Sequence, residues 1–251
     1  LNAGNISARI NLHAKYSVNK QGWFSWIYEQ CGLEPGIKVL ETGCGDGRLW
    51  VDNIKNVEKL KNIKITVTDI SEGMVNDARR NIGNGMFDYG VADCMNLPFD
   101  DNSFDCVIAN HVIFYCEEPG KAFKEIKRVL KPGGKAVFST YGSHHMQEIA
   151  QLVNQFDKRI VLSADVLYEK FGLDNGERLL EKYFNKVDKR LYDDYLLVDV
   201  AEPIIEYILS CHGNQNHYLL DRYSDFKAFI MKKTRKPLKI TKEAGVFVCF
   251  N

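Results

Sequence analysis

Between Lys38 and Gly142, apolar runs of strand length alternate with segments of helical periodicity, and this alternation leaves few folds open. "KVLETG" (38–43) precedes an amphipathic stretch from Arg48 to Lys61. "IKITVTD" (63–69) precedes "SEGMVNDARRNI" (71–82), where Ser71 is placed to cap a helix and Met74, Val75 and Ala78 recur at helical spacing. "FDYGVAD" (87–93) and the apolar "FDCVIAN" (104–110) follow, then a helical "EPGKAFKEIKRVL" (118–130) stopped by "KPGG", then "KAVFSTYG" (135–142). Such a succession predicts an α/β fold: a Rossmann-like, doubly wound, mostly parallel sheet with helices on both faces and right-handed crossovers. Ligands of such sheets lie at the carboxyl ends of the strands. The residues to watch are therefore Glu41 to Gly47, Asp69, Asp93 and Asn110 to Tyr115.

Beyond Gly142 the pattern changes. Residues 143–183 look helical, with "LDNGERLLEKYF" an amphipathic helix, "KVDKRLYDDYLLV" (186–198) a strand, "AEPIIEYILS" (201–210) a helix and "GVFVCF" (245–250) a closing strand, which brings the expected sheet to seven strands. The organisation expected is one domain over 1–251: an N-terminal helical lid (1–34), a ligand-binding core (35–142), a helical cap inserted after the fifth strand (143–185), and closing strands and helices (186–251). The basic run "MKKTRKPLK" (231–239) is expected to be a solvated approach to the last strand. Seven cysteines stand singly, without zinc spacing, as in a reduced cytoplasmic protein, and no metal is expected. No apolar stretch is long enough to span a membrane, and no signal-peptide pattern opens the sequence. A formal net charge of +0 argues against a nucleic-acid partner.

The turn after the first strand, "VLETGCGDGRLW" (39–50), carries Gly43, Gly45 and Gly47 as G-x-G-x-G. A dinucleotide-binding turn calls for G-x-G-x-x-G and presents a helix N-terminus to phosphate. Here Glu41 stands just before the glycines, and a carboxylate attracts an ammonium where it would repel a phosphate. Asp69 ends the second strand, where it can accept two ribose hydroxyls, and Asp93 ends the third, near where an adenine amino group would lie. Three acids around one glycine turn suit a nucleoside with a positive, amino-acid-like tail and no phosphate. S-adenosylmethionine fits that description.

Together, "VLETGCGDG", "VTDIS" with Gly73 and Met74, "VADCMNLPFDDNSFD" (91–105) and "EIKRVLKPGG" (125–134) make residues 36–142 resemble a class I S-adenosylmethionine-dependent methyltransferase, of the small-molecule type related to quinone-biosynthesis enzymes. The resemblance implies that Glu41, Gly43, Cys44 and Gly45 hold the methionine end and that Gly47 gives the next helix room. It implies that Asp69 takes the ribose, Ile70 and Met74 line the adenine, Asp93 and Cys94 meet its edge, and Asn110 faces the sulfonium through its backbone. It also implies an N-terminal segment that closes over the site, for which Tyr16 and Trp23 are the candidate aromatic residues.

The acceptor side is less constrained. "NHVIFY" (110–115) lacks the N-P-P-[FY] of enzymes that methylate nucleobase or glutamine amines, and no Pro-Cys nucleophile motif is present. Both absences favour a small-molecule acceptor. His111, Tyr115, Tyr141, His144 and His145 are the candidates to line its pocket, and a histidine there could accept a proton from an attacking hydroxyl or amine. The expected function is transfer of the methyl group of S-adenosylmethionine, leaving S-adenosylhomocysteine, to an oxygen, nitrogen or carbon of a small molecule. An RNA-modifying methyltransferase, a non-catalytic cofactor-binding module and a nicotinamide oxidoreductase are the alternatives, the last disfavoured by the glycine spacing.

Overall fold

The computed structural model describes residues 3–163 and 166–251, the side chains of residues 3–9 excepted. Its described residues form nine strands: β1 (Lys38–Thr42), β2 (Lys64–Asp69), β3 (Phe87–Val91), β4 (Phe104–Asn110), β5 (Leu130–Tyr141), β6 (Lys186–Tyr192), β7 (Tyr195–Val198), β8 (Leu238–Thr241) and β9 (Ala244–Phe250). The helices are α1 (Ala3–Tyr16), α2 (Trp23–Cys31), α3 (Arg48–Val57), α4 (Glu72–Ile82), α5 (Pro119–Val129), α6 (Gln147–Phe156), α7 (Leu167–Lys170), α8 (Gly176–Leu180), α9 (Ala201–Leu209), α10 (Gln215–Leu219) and α11 (Tyr223–Lys233). They divide into two compact units. The larger comprises Trp23–Gly142, Leu167–Tyr192 and Ala244–Asn251; the smaller comprises the residues up to Gly22, Ser143–Val166 and Asp193–Glu243.

The larger unit is built on a seven-stranded sheet in the order β3-β2-β1-β4-β5-β9-β6. β1 to β5 are parallel, and β9 runs antiparallel to both β5 and β6. The near-continuous burial along β1, β4 and β9 follows from their being covered on both faces. α3 buries Leu49, Trp50 and Val57, while α5, with Pro119 in its first turn, buries Phe123, Ile126 and Val129. Ser71 caps α4 by accepting from the Met74 N–H at 3.4 Å, as its position in the sequence leads one to expect.

Two expectations for the second half are corrected. "LDNGERLLEKYF" contains only the five-residue α8, because Asn175 holds a turn at its start. Its Oδ1 accepts from the Gly172 N–H and its amide donates to the Glu169 carbonyl, partners a longer helix would need otherwise. Within 143–185, Phe171, Leu173, Leu180 and Phe184 join the sheet's core beside Phe138 and Phe247, whereas 143–166 belongs to the smaller unit. α1 places Leu12 and Tyr16 in the core of the smaller unit, α2 places Ile27 and Cys31 in that of the larger, and Gly22, at φ +80°, stands at the division.

The predicted strand 186–198 is also two. β6 pairs with β9, while β7 pairs with β8 in the separate two-stranded sheet of the smaller unit. Asp194 marks the change. Its side chain is fully buried and lies 2.6 Å from the Lys242 ammonium, itself 7% exposed, and it also accepts from the Asn19 N–H at 2.9 Å and from the Ser17 hydroxyl. The apolar core of the smaller unit draws on α1, α6, α9, α11 and the two strands, and includes Leu152, Val153, Ile204, Ile205, Phe226 and Ile230. Removing one member of a buried ion pair strands the other charge in the interior, which costs about 3–5 kcal/mol. Asp194→Ala should lower the urea-unfolding free energy of the smaller unit by about that amount, and a loss below about 1 kcal/mol would show the pair to be energetically idle.

Candidate active site

Five carboxyl-end features of the larger unit converge: the turn after β1, the ends of β2 and β3, the segment after β4 and the end of β5. Each glycine of the first turn has a positive φ and a different reason for lacking a side chain. A Cβ on Gly43 would fall 2.4 Å from the Val112 side chain, so Gly43 lets the turn after β1 meet the segment after β4. A Cβ on Gly47 would fall 2.6 Å from Ile82 and 3.2 Å from the Ala78 backbone, so Gly47 lets α3 start against α4. A Cβ on Gly45 would meet no atom within 4 Å. That position opens onto free space.

Asp69 pins the open turn. One carboxylate oxygen accepts from the Gly45 N–H at 3.0 Å and the other from the Ser71 N–H at 2.9 Å. Each oxygen keeps capacity for a further donor, and the side chain is only half-buried. The neighbouring Ile70 is 69% exposed, an apolar side chain held out beside a carboxylate, with Met74 half-buried one turn further on. The end of β3 is tied to β2 by the Ala92 N–H to the Asp69 carbonyl at 3.0 Å. There Asp93 closes a tight turn, its carboxylate accepting from the Met95 N–H at 2.8 Å, and Cys94 is buried behind it. Paired acceptor capacity, an apolar face beside it and open space over a glycine turn fit a nucleoside with vicinal hydroxyls.

Glu41 differs from Asp69 in kind. It is 1% exposed, and its carboxyl accepts from the Trp50 indole N–H at 2.5 Å. Burial pushes its pKa up to about 8 against the lowering effect of the indole, helped by the nearby charges of Asp69 and Asp46. Cys44, also buried, has its thiol raised by burial and by Glu41.

After β4, Ser139 organises the chain. Its hydroxyl donates to the Asn110 side-chain oxygen at 2.6 Å and accepts from the His111 N–H at 2.8 Å. His111 sits at φ +55°, a left-handed conformation rare outside glycine, and its ring stacks on Trp23 with centroids 5.0 Å apart. Phe114 and Tyr141 continue this aromatic wall at 5.9 and 6.4 Å from His111, and Tyr115 is largely exposed beside Phe114. Tyr16, His144 and His145 lie in the other unit. There Tyr16 is buried, His144 is exposed with its N–H donating to Glu243 at 2.7 Å, and His145 stacks on His13. Trp50, Val112 and Ser139 are the residues that sequence reasoning missed. Ser139 is legible once register is known, since it pairs directly with Asn110. Among the described residues, no group of three His, Cys, Asp or Glu could hold a metal ion.

Residues 40–138 match the family model described as a methyltransferase domain. Over 108 residues, 41% of this chain, the sequence is 36% identical to cycloartenol-C-24-methyltransferase 1 of Oryza sativa subsp. japonica, covering 30% of it. Over 143 residues, 55% of this chain, it is 30% identical to the ubiquinone/menaquinone biosynthesis C-methyltransferase of Haemophilus ducreyi, covering 54% of it. The chain thus spans about half or less of the length of these relatives. A solved structure of Haemonchus contortus phosphoethanolamine N-methyltransferase 2 in complex with S-adenosyl-L-methionine has the same fold, with a TM-score of 0.58 at 18% identity over 98% of this chain and 56% of that one.

The raised pKa of Glu41 makes a prediction that needs no ligand. A free glutamate titrates near about 4.3, so between there and about 8 the folded chain holds a proton that the unfolded chain has released. Stability therefore falls as pH rises through that window. Glu41→Gln keeps an acceptor for Trp50 and removes the titration, so its urea midpoint should fall less than wild type's between pH 5.5 and 8.5. Identical pH slopes in the two proteins would contradict the assignment.

Proposed function

We propose that this chain, whose core belongs to the class I S-adenosylmethionine-dependent methyltransferases, transfers the methyl group of that cofactor to an oxygen, nitrogen or carbon of a small-molecule acceptor. The observation that carries the reading is the Asp69 arrangement: a half-exposed carboxylate joined to an open glycine turn, with an exposed apolar side chain next to it. In this reading Asp69 accepts the ribose hydroxyls, Ile70 and Met74 cover one face of the adenine, and Asp93 and Cys94 meet its edge. The backbone of Gly43 to Gly45 receives the methionine end, Glu41 lies beneath the turn where an arriving ammonium draws it toward its charged form, and the Asn110 backbone faces the sulfonium. The names of the relatives, a sterol and a quinone-pathway methyltransferase, support a small organic acceptor. The neutral total charge supports it too, since phosphate binding calls for basic surface. None of the seven cysteines is in a disulfide and no described helix is long and apolar enough to cross a membrane, which support a reducing, cytoplasmic setting.

When bound, the cofactor supplies an activated methyl group, so the protein's task is to position an acceptor and exclude water. Trp23, His111, Phe114 and Tyr141 form an apolar aromatic wall beside the end of β4, suited to both. Ser139 fixes His111 through its backbone N–H, and Trp23 fixes the plane of its ring. The imidazole is then placed to receive a proton from an acceptor hydroxyl or amine.

Asp69→Ala removes charge-assisted acceptors for two hydroxyls, and S-adenosylhomocysteine affinity should fall tenfold or more by calorimetry, about 1.4 kcal/mol. An unchanged dissociation constant would reduce Asp69 to a loop pin. An acceptor is found by release of S-adenosylhomocysteine across a panel of small molecules. With it, His111→Ala should cut turnover while leaving cofactor affinity within about twofold, roughly 0.4 kcal/mol. Full turnover in that variant would return His111 to a structural role.

A further inference from the structure

Cys94 and Cys116 come from segments far apart in sequence and meet beside the candidate site. Their sulfurs are 3.2 Å apart, and the side chains are 7% and 5% exposed within one apolar cluster that includes Leu97 and Phe114. Cys94 lies in the tight turn that follows β3, between Asp93 and Met95, whose carboxylate-to-amide bond closes that turn. Cys116 ends the short helical turn Ile113–Tyr115, and its own N–H is held by the Ile113 carbonyl. One cysteine is therefore fixed to the strand end assigned above to the adenine edge. The other is fixed to the segment that leads out of His111. Two thiols held in contact by separate backbone turns are preorganised for a bond between them.

We propose that Cys94 and Cys116 form a reversible disulfide under hydroperoxide, and that this bond links the turn after β3 to the segment after β4 and weakens cofactor binding. The consequence for the cofactor rests on the function proposed above; the disulfide itself does not. A disulfide places its sulfurs about 2.05 Å apart, so the two sulfurs must approach by roughly 1.2 Å. The bond then ties the turn that holds Asp93 to the segment after β4. Either sulfur can donate to the other; with Cys94 as the donor, the bond favours the thiolate at Cys116 and the thiol at Cys94.

The electron count closes with hydrogen peroxide as oxidant. The Cys116 thiolate attacks one peroxide oxygen, the O–O bond breaks, and a sulfenic acid forms while the departing hydroxide takes a proton from solvent. The Cys94 sulfur then attacks the sulfenic sulfur. The S–O bond breaks, the leaving hydroxide takes the Cys94 proton as water, and the S–S bond is made. The two sulfurs together lose two electrons, and the peroxide is reduced to two waters. A dithiol reductant reverses the change.

The test treats the full chain with hydrogen peroxide, blocks remaining thiols, and maps disulfides by peptide mass, with S-adenosylhomocysteine titrated before oxidation, after it, and after reduction with dithiothreitol. The expected result is a Cys94–Cys116 cross-link, a loss of affinity of fivefold or more, and recovery on reduction. Cys116→Ser should form no such cross-link and should keep its affinity through peroxide treatment. Cys94 and Cys116 peptides recovered singly blocked from oxidised wild type would overturn the proposal, whatever the variant does. A cross-link with unchanged affinity would overturn the coupling to the cofactor. Reduced wild type that binds no S-adenosylhomocysteine would overturn that coupling and the proposed function together, while the mass result still decides the disulfide.

Discussion

The Asp69 carboxylate is the contact on which the site's geometry depends. It is the last residue of β2, yet it accepts from a backbone N–H in the turn after β1 and from another at the start of α4. Each is a charge-assisted bond, stronger than a neutral one. Gly45, at φ +56°, has no side chain to direct it, so the carboxylate supplies the restraint that the glycine lacks. The parallel pairing of β1 with β2 brings the two strand ends level, with Thr42 opposite Thr68, and so makes the bond possible. Sheet register, glycine freedom and one charge thus produce an open, rigid turn.

Two acids on adjacent strands meet opposite fates. Asp69 stays half-exposed and its oxygens retain capacity for hydroxyl donors, while Glu41 is enclosed with Trp50 and held mainly neutral near pH 7. A cation arriving over the turn would draw Glu41 back toward its charged form. In the proposed function the two residues would serve different parts of one ligand, Asp69 as a fixed acceptor for a neutral diol and Glu41 as a responsive charge for an ammonium. His111 adds a third kind of constraint, a left-handed backbone held in place by Ser139 and Trp23. Strained conformations of this kind persist where the surroundings over-determine them, and they concentrate at functional sites.

The parallel core was legible because period and punctuation agree there: apolar strands, capped helices and glycine turns all indicate one architecture. β1 to β5 and the seven-stranded sheet follow from that pattern. The later half was misread where a single side chain overrides periodicity. Asn175 shortens a helix by offering the backbone another partner, and Asp194 ends a run of strand-forming residues by entering an ion pair with Lys242, 48 positions away. The ion pair has no local signature, whereas Asn175-Gly176 is a turn dipeptide that the helical periodicity around it obscures. Trp50 and Val112 lack a local signature too, since their importance lies in what they touch across the sheet. Glu41 was expected at a strand end, and it is there, but whether a strand-end acid faces solvent or the core depends on the helix packed over it.

The central claim is that the turn from Glu41 to Gly47, with Asp69 behind it, is built for a nucleoside with a cationic tail and not for a pyrophosphate. Isothermal titration of the chain with S-adenosylmethionine, S-adenosylhomocysteine and NAD tests it most directly. The account predicts saturable one-to-one binding of the first two and none of the third. Tight NAD binding, with no heat from S-adenosylhomocysteine, would contradict it.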